Sequence, residues 1–424
     1  MHRRYSPRVP RRVTQDDCKD SPVNTSEDGL VARLRASGSV FAEDEARVLR
    51  ESATSSDELE AMTARRLAGE PLEHVVGWAD FGHLRVHVAP GVFVPRRRTE
   101  LLARAAVDAA PHDGTVVDLC CGSGAVGAFV EDERPDVHVI AADIDPLAVR
   151  CATQNLVHGT VYEGDLFDAL PEGLLGEVDV VAVNAPYVPT DAIALMPPEA
   201  RDHEPRAALD GGPDGVDVHR RVAADVASWL APHGQVLIET SRMQVPWTAL
   251  ALAQRGLRAR LASWDAEIGT AVVCGRPVEP DLAVEELPPL EFAFAGPVRD
   301  RLVGLVLDGV KTTTSSLVRE LLVTGGEDDE GMPAVGERWR IVDSTGSEVC
   351  VVETVEVRVS RVADVDLQHV LDEGEGDRTV AQWRENRTRF WEGDEMRTFL
   401  GAPAFTVDDD TNVVLQRLRV VKSL

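Results

Sequence analysis

Acidic residues and glycines stand at the ends of three successive apolar runs, where they could hold an adenosine-containing cofactor. The run VVDLCCGSGAVG leads into a helix and carries the first candidates, which are Asp118, Cys120, Cys121, Gly122, Ser123 and Gly124. Glycine lets a backbone approach a ligand closely, and N–H groups at a helix start favour a carboxylate or a phosphate. Asp143 ends the next run, about 20 residues on, where a carboxylate can accept both ribose hydroxyls. Asp165, with Leu166 beside it, follows the third run and could receive the exocyclic amine of adenine.

A structural role is the alternative for each of these carboxylates. Asp145 precedes Pro146 at a predicted helix start, so we expect it to cap that helix. Asp143 stands too early in the chain for the same role. The recurrence of an acidic residue at three strand ends favours the cofactor interpretation over three separate structural ones.

A fourth run, VDVVAV, leads directly into Asn184, Ala185, Pro186 and Tyr187, which suit a planar nitrogen. An amide nitrogen is a poor nucleophile because its lone pair is delocalised, so an enzyme that alkylates it must orient both N–H bonds. The Asn184 side-chain oxygen and the Ala185 carbonyl could accept them, while Tyr187 packs against the planar group. The alternative is a turn stiffened by Pro186 at a strand end.

The loop and its acidic partners resemble those of the class I S-adenosylmethionine methyltransferases. Dinucleotide dehydrogenases are disfavoured, because CCGSG lacks the GxGxxG pattern. Family members commonly have glycine where Cys120 stands. We therefore expect the backbone at Cys120 to adopt a conformation that tolerates a side chain.

Seven segments together resemble the protein-(glutamine-N5) methyltransferases over roughly residues 30–276. In order they are GEPLEHVVGWADF, VPRRRTELL, DLCCGSGA, DIDPLAVRCATQN, NAPYVP, EPRAALDGGPDGVDVHRRV and GQVLIETSRMQ. The resemblance implies S-adenosylmethionine as cofactor and a protein glutamine, in a release factor or ribosomal protein, as acceptor. It assigns Asn184 and Tyr187 to the acceptor site, and residues 120–124 with Asp143 to the cofactor site. Two departures suggest a divergent paralogue with a different substrate: NAPY replaces NPPY, and Arg97 and Arg98 replace a proline and an acidic residue.

The elements that must position these residues alternate between strand and helix. Nearly continuous apolar runs separated by helical patterns predict a doubly wound, Rossmann-like α/β sheet across residues 81–275. Loose helical spacing of Leu34, Phe41, Leu49 and Leu59 predicts a small helical subdomain at residues 29–80, which the resemblance assigns to substrate recognition. Residues 1–28 are predicted to form a disordered tail.

A Pro- and Glu-rich stretch at residues 276–289 predicts a linker that few contacts cross. Residues 290–424 then predict a small, partly closed β-barrel with helices, and GVKTTTSS and TVAQWRENRTRFW within it resemble an ASCH domain, a PUA-like module. In some relatives a Lys, a Thr and a Glu form an amidohydrolase site, which implies Lys311, Thr314 and Glu375 here. An ordinary ion pair is the alternative, and RNA contact is suggested by fold analogy alone.

Composition limits the partners. The formal net charge of −28 repels phosphate backbones, so bulk DNA is excluded as a partner. The chain has no apolar stretch long enough to span a membrane and no apolar signal core, which predicts a cytoplasmic protein. The six cysteines have no CxxC pairs or His partners at metal spacing, so we expect buried thiols and no metal site; they are Cys18, Cys120, Cys121, Cys151, Cys274 and Cys350.

Two other functions stay open at this point. An exocyclic-amine methyltransferase of nucleic acids shares the Asn-x-Pro-aromatic element, although the net charge and the family-specific flanks count against it. A non-catalytic binding protein that keeps a decayed methyltransferase fold is suggested by Cys120 and Ala185. Binding of S-adenosylmethionine separates the second alternative from an enzyme.

Overall fold

The computed structural model describes residues 27–279, 282–322 and 331–424. The predicted disordered tail, residues 1–28, lies outside this range except for its last two residues, and Cys18 lies outside it as well. In the described part of the chain, none of the helices combines the length and the apolar character needed to cross a membrane.

Four helices open the described chain: α1 (Glu27–Ala36), α2 (Ala42–Ser52), α3 (Ser56–Leu67) and α4 (Leu72–Val76). Ser55 caps α3 by accepting the Glu58 N–H, as serine commonly does at a helix start. A shared core that includes Leu34, Leu49 and Leu59 holds the helices together. The predicted helices are therefore present, but the expectation for Phe41 is wrong: it precedes α2 and is 69% exposed.

A hairpin and a helix follow: β1 (Trp78–Phe81), β2 (Leu84–His87) and α5 (Glu100–Ala109). Alternation in this stretch buries Leu84, Val86 and Val88, which confirms the hairpin predicted from the pattern.

The alternating elements follow in the predicted order. They are β3 (Thr115–Leu119), α6 (Ala125–Glu133), β4 (His138–Asp143), α7 (Pro146–Asn155), β5 (Thr160–Glu163), β6 (Val178–Val183), α8 (Pro198–His203), α9 (Asp217–Trp229), β7 (Leu230–Ser241), α10 (Val245–Ala253), β8 (Leu257–Asp265) and β9 (Thr270–Pro277). The strands form a seven-stranded mixed sheet in the order β5-β4-β3-β6-β7-β9-β8. Strand β3 runs parallel to β4 and β6, whereas β8 and β9 are antiparallel. This is the predicted class I methyltransferase fold.

The described chain divides into two compact units, and β7 contributes to both. The first unit holds the residues up to Val218 together with Trp229–Ala231 and Leu237–Glu239. The second holds His219–Ser228, Pro232–Val236 and the chain from Thr240 onward. The predicted domain limits stay predictions.

The C-terminal elements build a second sheet. They are β10 (Pro289–Leu290), α11 (Pro297–Leu307), β11 (Thr313–Leu317), α12 (Val318–Leu321), β12 (Arg338–Val342), β13 (Glu348–Arg361), α13 (Leu367–Glu373), α14 (Val380–Trp391), α15 (Asp394–Phe399) and β14 (Asn412–Ser423). Five strands pair in the order β10-β12-β13-β14-β11. Register shifts between β13 and β14 accompany the curl of this sheet, as bulges do elsewhere. The result is a curled half-barrel, which confirms the predicted partly closed barrel.

Contacts between β8 and the C-terminal sequence show that the expectation of a sparsely crossed linker is wrong. Ala259 of β8 forms an antiparallel bridge with Met332, and the Met332 N–H donates to the Ala259 carbonyl at 2.6 Å. Beside it, Arg258 pairs with Glu337, and the Val335 N–H donates to the Ala253 carbonyl at 2.9 Å. Strand β8 is the last strand of its sheet, and covering it satisfies backbone groups that an open edge would expose.

Candidate active site at the carboxyl edge of the sheet

Strand register brings three predicted site residues to one level. Leu119, the last residue of β3, stands opposite Ala142 on one side and Val183 on the other. The next residues along these three parallel strands are Cys120, Asp143 and Asn184. They therefore share the carboxyl edge, with Asp143 and Asn184 about 10 Å apart across two strand spacings.

Backbone hydrogen bonds fold the loop after β3 around the end of β4. The Gly122 N–H donates to Asp143 Oδ2 at 2.8 Å, and the Cys121 N–H donates to the Ala142 carbonyl at 3.0 Å. The Ser123 carbonyl accepts a hydrogen bond from the Asn155 side chain at 2.8 Å. Gly124 has a φ of +76° and lies so close to α7 that an added Cβ would stand 2.7 Å from Leu156. Only glycine can both adopt this positive φ without strain and leave room for the Leu156 side chain.

The backbone at Cys120 does not change to suit its side chain, so that expectation is wrong. Its φ is +59°, in the left-handed region that glycine normally occupies. Leu166, three residues after the end of β5, has a φ of +50°. Two predicted cofactor residues thus hold strained backbone at one sheet edge, and residues of this kind cluster at ligand sites.

The two carboxylates of this edge both shape the loop. Asp118 is 1% exposed and its Oδ2 accepts the Gly127 N–H at the start of α6 at 2.9 Å. Burial raises the pKa of Asp118 to about 7. Asp143 accepts a second N–H, from Asp145, on its Oδ1 at 2.9 Å. The predicted cap is confirmed, because Asp145 Oδ1 accepts the Leu147 N–H at 2.8 Å.

The loop leaves space for a ligand. A Cβ built on Gly122 would meet no atom within 4 Å, so the backbone there faces an open volume. A carboxylate offers about four acceptor positions, of which Asp143 uses two on backbone N–H groups. The remaining positions are available to a ligand, and the assignment of Asp143 and Asp165 to the cofactor stays a prediction.

The acceptor motif begins directly after β6. Asn184 Nδ2 donates to Thr99 Oγ1 at 3.2 Å, which turns the side-chain oxygen of Asn184 away from Thr99. Ala185 is buried, and Pro186 and Tyr187 are partly buried. The Tyr187 hydroxyl donates to Glu239 Oε1 at 3.2 Å. Burial raises the pKa of the Tyr187 phenol above its usual range, and the charge of Glu239 raises it further.

A glycine-rich segment braces this motif from one side. The Val188 N–H donates to the Leu209 carbonyl at 3.0 Å, and the Gly211 N–H donates to the Val188 carbonyl at 2.9 Å. A Cβ on Gly211 would stand 2.7 Å from the Pro186 carbonyl oxygen and 2.8 Å from the Tyr187 Cα. This close approach gives a structural reason for glycine in the sequence ALDGG.

Sequence reasoning assigned no site role to three polar residues behind the motif, although it singled out Arg98 as a departure from the family pattern. Glu239, in the apolar strand β7, is 1% exposed, and its Oε2 has no hydrogen-bond partner in the described part of the chain. Arg98 Nε lies 3.6 Å from Glu239 Oε1, and the guanidinium stands 5.7 Å from the centre of the Tyr187 ring. Thr99 is also buried, and its hydroxyl accepts the Asn184 Nδ2–H at 3.2 Å. The available signal was the acidic residue within the buried run VLIE.

A second polar cluster joins β11 to α13 and α14. Lys311 Nζ donates to Glu375 Oε1 at 2.8 Å and to the Thr313 carbonyl at 3.0 Å. Arg387 donates to the same Glu375 oxygen at 2.8 Å and to Glu373 at 2.7 Å. Burial lowers the pKa of Lys311, and the charge of Glu375 opposes that shift. These contacts favour the ion-pair interpretation of the Lys311–Glu375 pair.

Thr314 is not brought into this cluster. Thr313 and Ser315 are buried, and alternation along β11 places Thr314 on the opposite face. Among the described residues its hydroxyl makes no hydrogen bond, whereas Ser315 Oγ donates to Glu373 at 2.6 Å.

The free thiols match the expectation from the sequence in four cases. Cys121, Cys151, Cys274 and Cys350 are buried, whereas Cys120 is partly exposed.

Two family models match the chain. The model described as a methyltransferase small domain matches residues 83–196, and the model described as an ASCH domain matches residues 291–422. The first range includes the cofactor loop and the acceptor motif, and the second includes Lys311 and Glu375.

Curated relatives match the methyltransferase part of the chain. The release factor glutamine methyltransferase of Streptomyces coelicolor is 40% identical over 195 residues, which are 44% of this chain and 69% of the relative. That of Mycolicibacterium smegmatis is 42% identical over 195 residues, 45% of this chain and 67% of the relative. A 4-amino-L-phenylalanine/4-methylamino-L-phenylalanine methyltransferase of Streptomyces pristinaespiralis is 38% identical over 191 residues, 43% of this chain and 64% of the relative. The chain therefore belongs to the family of release factor glutamine methyltransferases, and an ASCH domain follows its methyltransferase fold.

Proposed function

We propose that this protein transfers the methyl group of S-adenosylmethionine to the side-chain amide nitrogen of a glutamine in a release factor or another translation protein. The observation that carries the proposal is the position of Asn184. It stands at the carboxyl edge of the sheet, two strands from Asp143, with its amide nitrogen engaged by Thr99 and its oxygen turned away. Translation factors act in the cytoplasm, which is where we place this activity.

Each site residue has a role in binding or orientation. When bound, S-adenosylmethionine supplies a methyl group on a positively charged sulfur. Asp143 would accept the ribose hydroxyls, and the loop at Gly122 would lie against the amino acid portion. Asp165 and Leu166 would line the adenine side, with Asp118, Cys120, Cys121, Ser123 and Gly124 shaping the loop.

The acceptor amide is held by the motif after β6. Asn184 Oδ1 accepts one N–H and the Ala185 carbonyl accepts the other, which fixes the plane of the amide. Pro186 restricts the backbone conformation of the motif through its fixed φ. Tyr187 packs against the planar amide group. The nitrogen lone pair would then face the donor methyl group. As the new N–C bond forms, the bond from that carbon to sulfur would break and leave a neutral thioether, and the surplus N–H proton would pass to water. Orientation of this kind can supply several kcal/mol of the barrier reduction.

The experiment incubates the pure protein with S-adenosylmethionine carrying a tritiated methyl group, together with a purified release factor or a cell lysate. We expect label in protein, with mass spectrometry locating one added methyl group on a glutamine side chain. Label in nucleic acid would support the exocyclic-amine alternative, and label in a small molecule would point to an amine acceptor like that of the Streptomyces pristinaespiralis relative. No binding of S-adenosylmethionine in calorimetry would support a decayed, non-catalytic protein.

Replacing the central residue tests the assignment directly. We expect Asn184→Ala to lower kcat at least about 100-fold, because the amide then loses its orienting acceptor, while the donor Kd stays within about twofold. Asn386→Ala is the control, since Asn386 lies on α14 with an exposed hydrogen bond to Asp377. Unchanged turnover in Asn184→Ala would refute the proposal.

We also propose that the ASCH domain contacts RNA near the methylated protein, by analogy with related folds. The net negative charge of the chain opposes non-specific binding to RNA, so the contact would depend on a particular RNA shape. Weaker labelling after ribonuclease treatment of the lysate would support this, and unchanged labelling would count against it.

A further inference from the structure

A histidine and two carboxylates meet where the turn between β1 and β2 packs against the end of α6. His83 Nε2 lies 2.7 Å from Asp132 Oδ2, and His83 Nδ1 lies 3.4 Å from Glu133 Oε1. One possible ligand atom from each of the three residues lies within 4.8 Å of the others. His83 and Asp132 are 49 residues apart in the chain, so the fold and not a local motif brings them together.

The turn that carries His83 is fixed against α6. Gly82 has a φ of +59°, and a Cβ built on it would stand 2.6 Å from the Phe129 ring. The centre of the His83 ring lies 5.3 Å from the centre of the Phe129 ring. Phe129 is 1% exposed, so it is held by the core and in turn holds the His83 ring beside the last turn of α6.

The negative charges at this end of α6 lack a strong cationic partner. The last turn of α6 has no basic residue, and in the described part of the chain the ion-pair partner of both Asp132 and Glu133 is His83. Arg134, the next residue, pairs with Asp136 instead. The C-terminal end of a helix carries partial negative charge, so two carboxylates there are unfavourable unless a cation lies close. A divalent cation would supply the missing positive charge.

The ligand types select the class of ion. Imidazole together with carboxylates suits transition-metal ions such as Zn²⁺, whereas Mg²⁺ and Ca²⁺ prefer oxygen ligands alone. Ligand atoms about 2.1 Å from a tetrahedral metal stand about 3.4 Å apart, so His83, Asp132 and Glu133 need to shift by only about 1 Å. Their side chains are 37%, 34% and 45% exposed, which allows this shift and lets water complete the coordination.

We propose that His83, Asp132 and Glu133 bind one divalent transition-metal ion through one ring nitrogen and one oxygen of each carboxylate. The ion joins the β1–β2 turn to α6 and stabilises that contact. It binds at the opposite end of α6 from the cofactor loop, so the site is separate from methyl transfer. The expectation of no metal site rested on the spacing of the cysteines, none of which takes part.

Calorimetric titration of the full chain with ZnCl₂ tests the site. Wild type should bind about one ion at this site, and His83→Ala should bind it at least about tenfold more weakly, because one of three protein ligands is lost. Glu133→Gln should weaken binding by a similar factor. His112→Ala is the matched control, since His112 is an exposed histidine beside a single carboxylate, that of Asp113, and its loss should leave binding unchanged.

Two further measurements locate the ion. Zn²⁺ should raise the thermal unfolding midpoint of wild type and of His112→Ala by at least about 2 °C, because it binds the folded state, and should not raise that of His83→Ala. Co²⁺ bound in place of Zn²⁺ should show visible absorption bands that disappear in His83→Ala, without the intense near-ultraviolet band of thiolate ligands.

The proposal fails if wild type binds no Zn²⁺, or if His83→Ala binds it as tightly as wild type does. A Co²⁺ spectrum with a thiolate band that is the same in both proteins would also overturn it, since the ion would then lie on cysteines. None of these results bears on methyl transfer, which the tritiated donor tests separately.

Discussion

Cys120 holds a left-handed backbone conformation that a side chain disfavours. Its φ of +59° places it among four non-glycine residues with positive φ in the described chain, and Leu166 at the same sheet edge is another. For an ordinary L-residue this conformation costs about 1–2 kcal/mol. The fold tolerates the cost because the neighbouring backbone is fixed, with Cys121 bonded to β4 and Gly122 bonded to Asp143.

We expect Cys120→Gly to stabilise the protein by about 1 kcal/mol. Glycine adopts this φ without strain, and the relief exceeds its entropic cost in the unfolded chain. The measurement is the thermal unfolding midpoint, which should rise, with the donor Kd equal to or lower than that of wild type. Cys121→Gly is the control, because Cys121 is buried at an ordinary φ and its loss should destabilise. A lower midpoint for Cys120→Gly would contradict the strain argument.

Elements position the acceptor motif from two directions. Strand β6 delivers Asn184 to the sheet edge, and the segment after α8 supports the next residues through the hydrogen bonds of Val188 with Leu209 and Gly211. The Thr190 hydroxyl adds a further bond to Asp210 at 2.6 Å. The motif is therefore held by hydrogen bonds to a segment about 20 residues further along the chain.

We expect Gly211→Ala to lower kcat about 10- to 100-fold. The new Cβ would stand 2.7 Å from the Pro186 carbonyl oxygen, and because the obstructing atoms are backbone, the motif itself must move. A displacement of about 1 Å is enough for a loss of this size. Gly173→Ala is the matched control, since a Cβ there meets nothing within 4 Å. Methyl transfer is measured, and equal rates for both variants would rule out the bracing role.

At the scale of the whole molecule, the edge of the methyltransferase sheet is covered by the sequence that leads into the ASCH sheet. Arg258 of β8 pairs with Glu337, and its guanidinium stands 4.8 Å from the centre of the Trp339 ring. Glu337 is 5% exposed, so its charge depends on such partners. Strand β8 and the C-terminal sheet belong to one compact unit, and this ion pair contributes to its stability.

We expect Arg258→Ala to lower the free energy of unfolding by about 2 kcal/mol. The substitution removes the Arg258 ion pair from a buried carboxylate, and the effect is reduced because Arg258 is itself partly exposed. Denaturant unfolding followed by tryptophan fluorescence measures the change. Arg255→Ala, an exposed arginine just before β8, should stay within about 0.5 kcal/mol of wild type. Equal losses for the two variants would show that the contact contributes nothing specific.

The sequence alone determined the elements whose signals are local. Helix α7 begins at Pro146 behind the Asp145 cap, and β6 coincides with the apolar run VDVVAV, as predicted. The acceptor motif and the cofactor loop could likewise be predicted from the sequence, because the residues of each are contiguous and follow a strand. Apolar periodicity, capping and family motifs all act within a few residues of chain.

Only the tertiary structure decided what depends on residues distant in sequence. The pairing of Arg98 with Glu239, the bridge from Ala259 to Met332 and the approach of Gly211 to Pro186 join separate segments. The φ of Cys120 also belongs here, since contacts of the surrounding loop impose it against the preference of the residue. Such features depend on which elements pack against each other. A local sequence pattern does not show which distant segment will contact it.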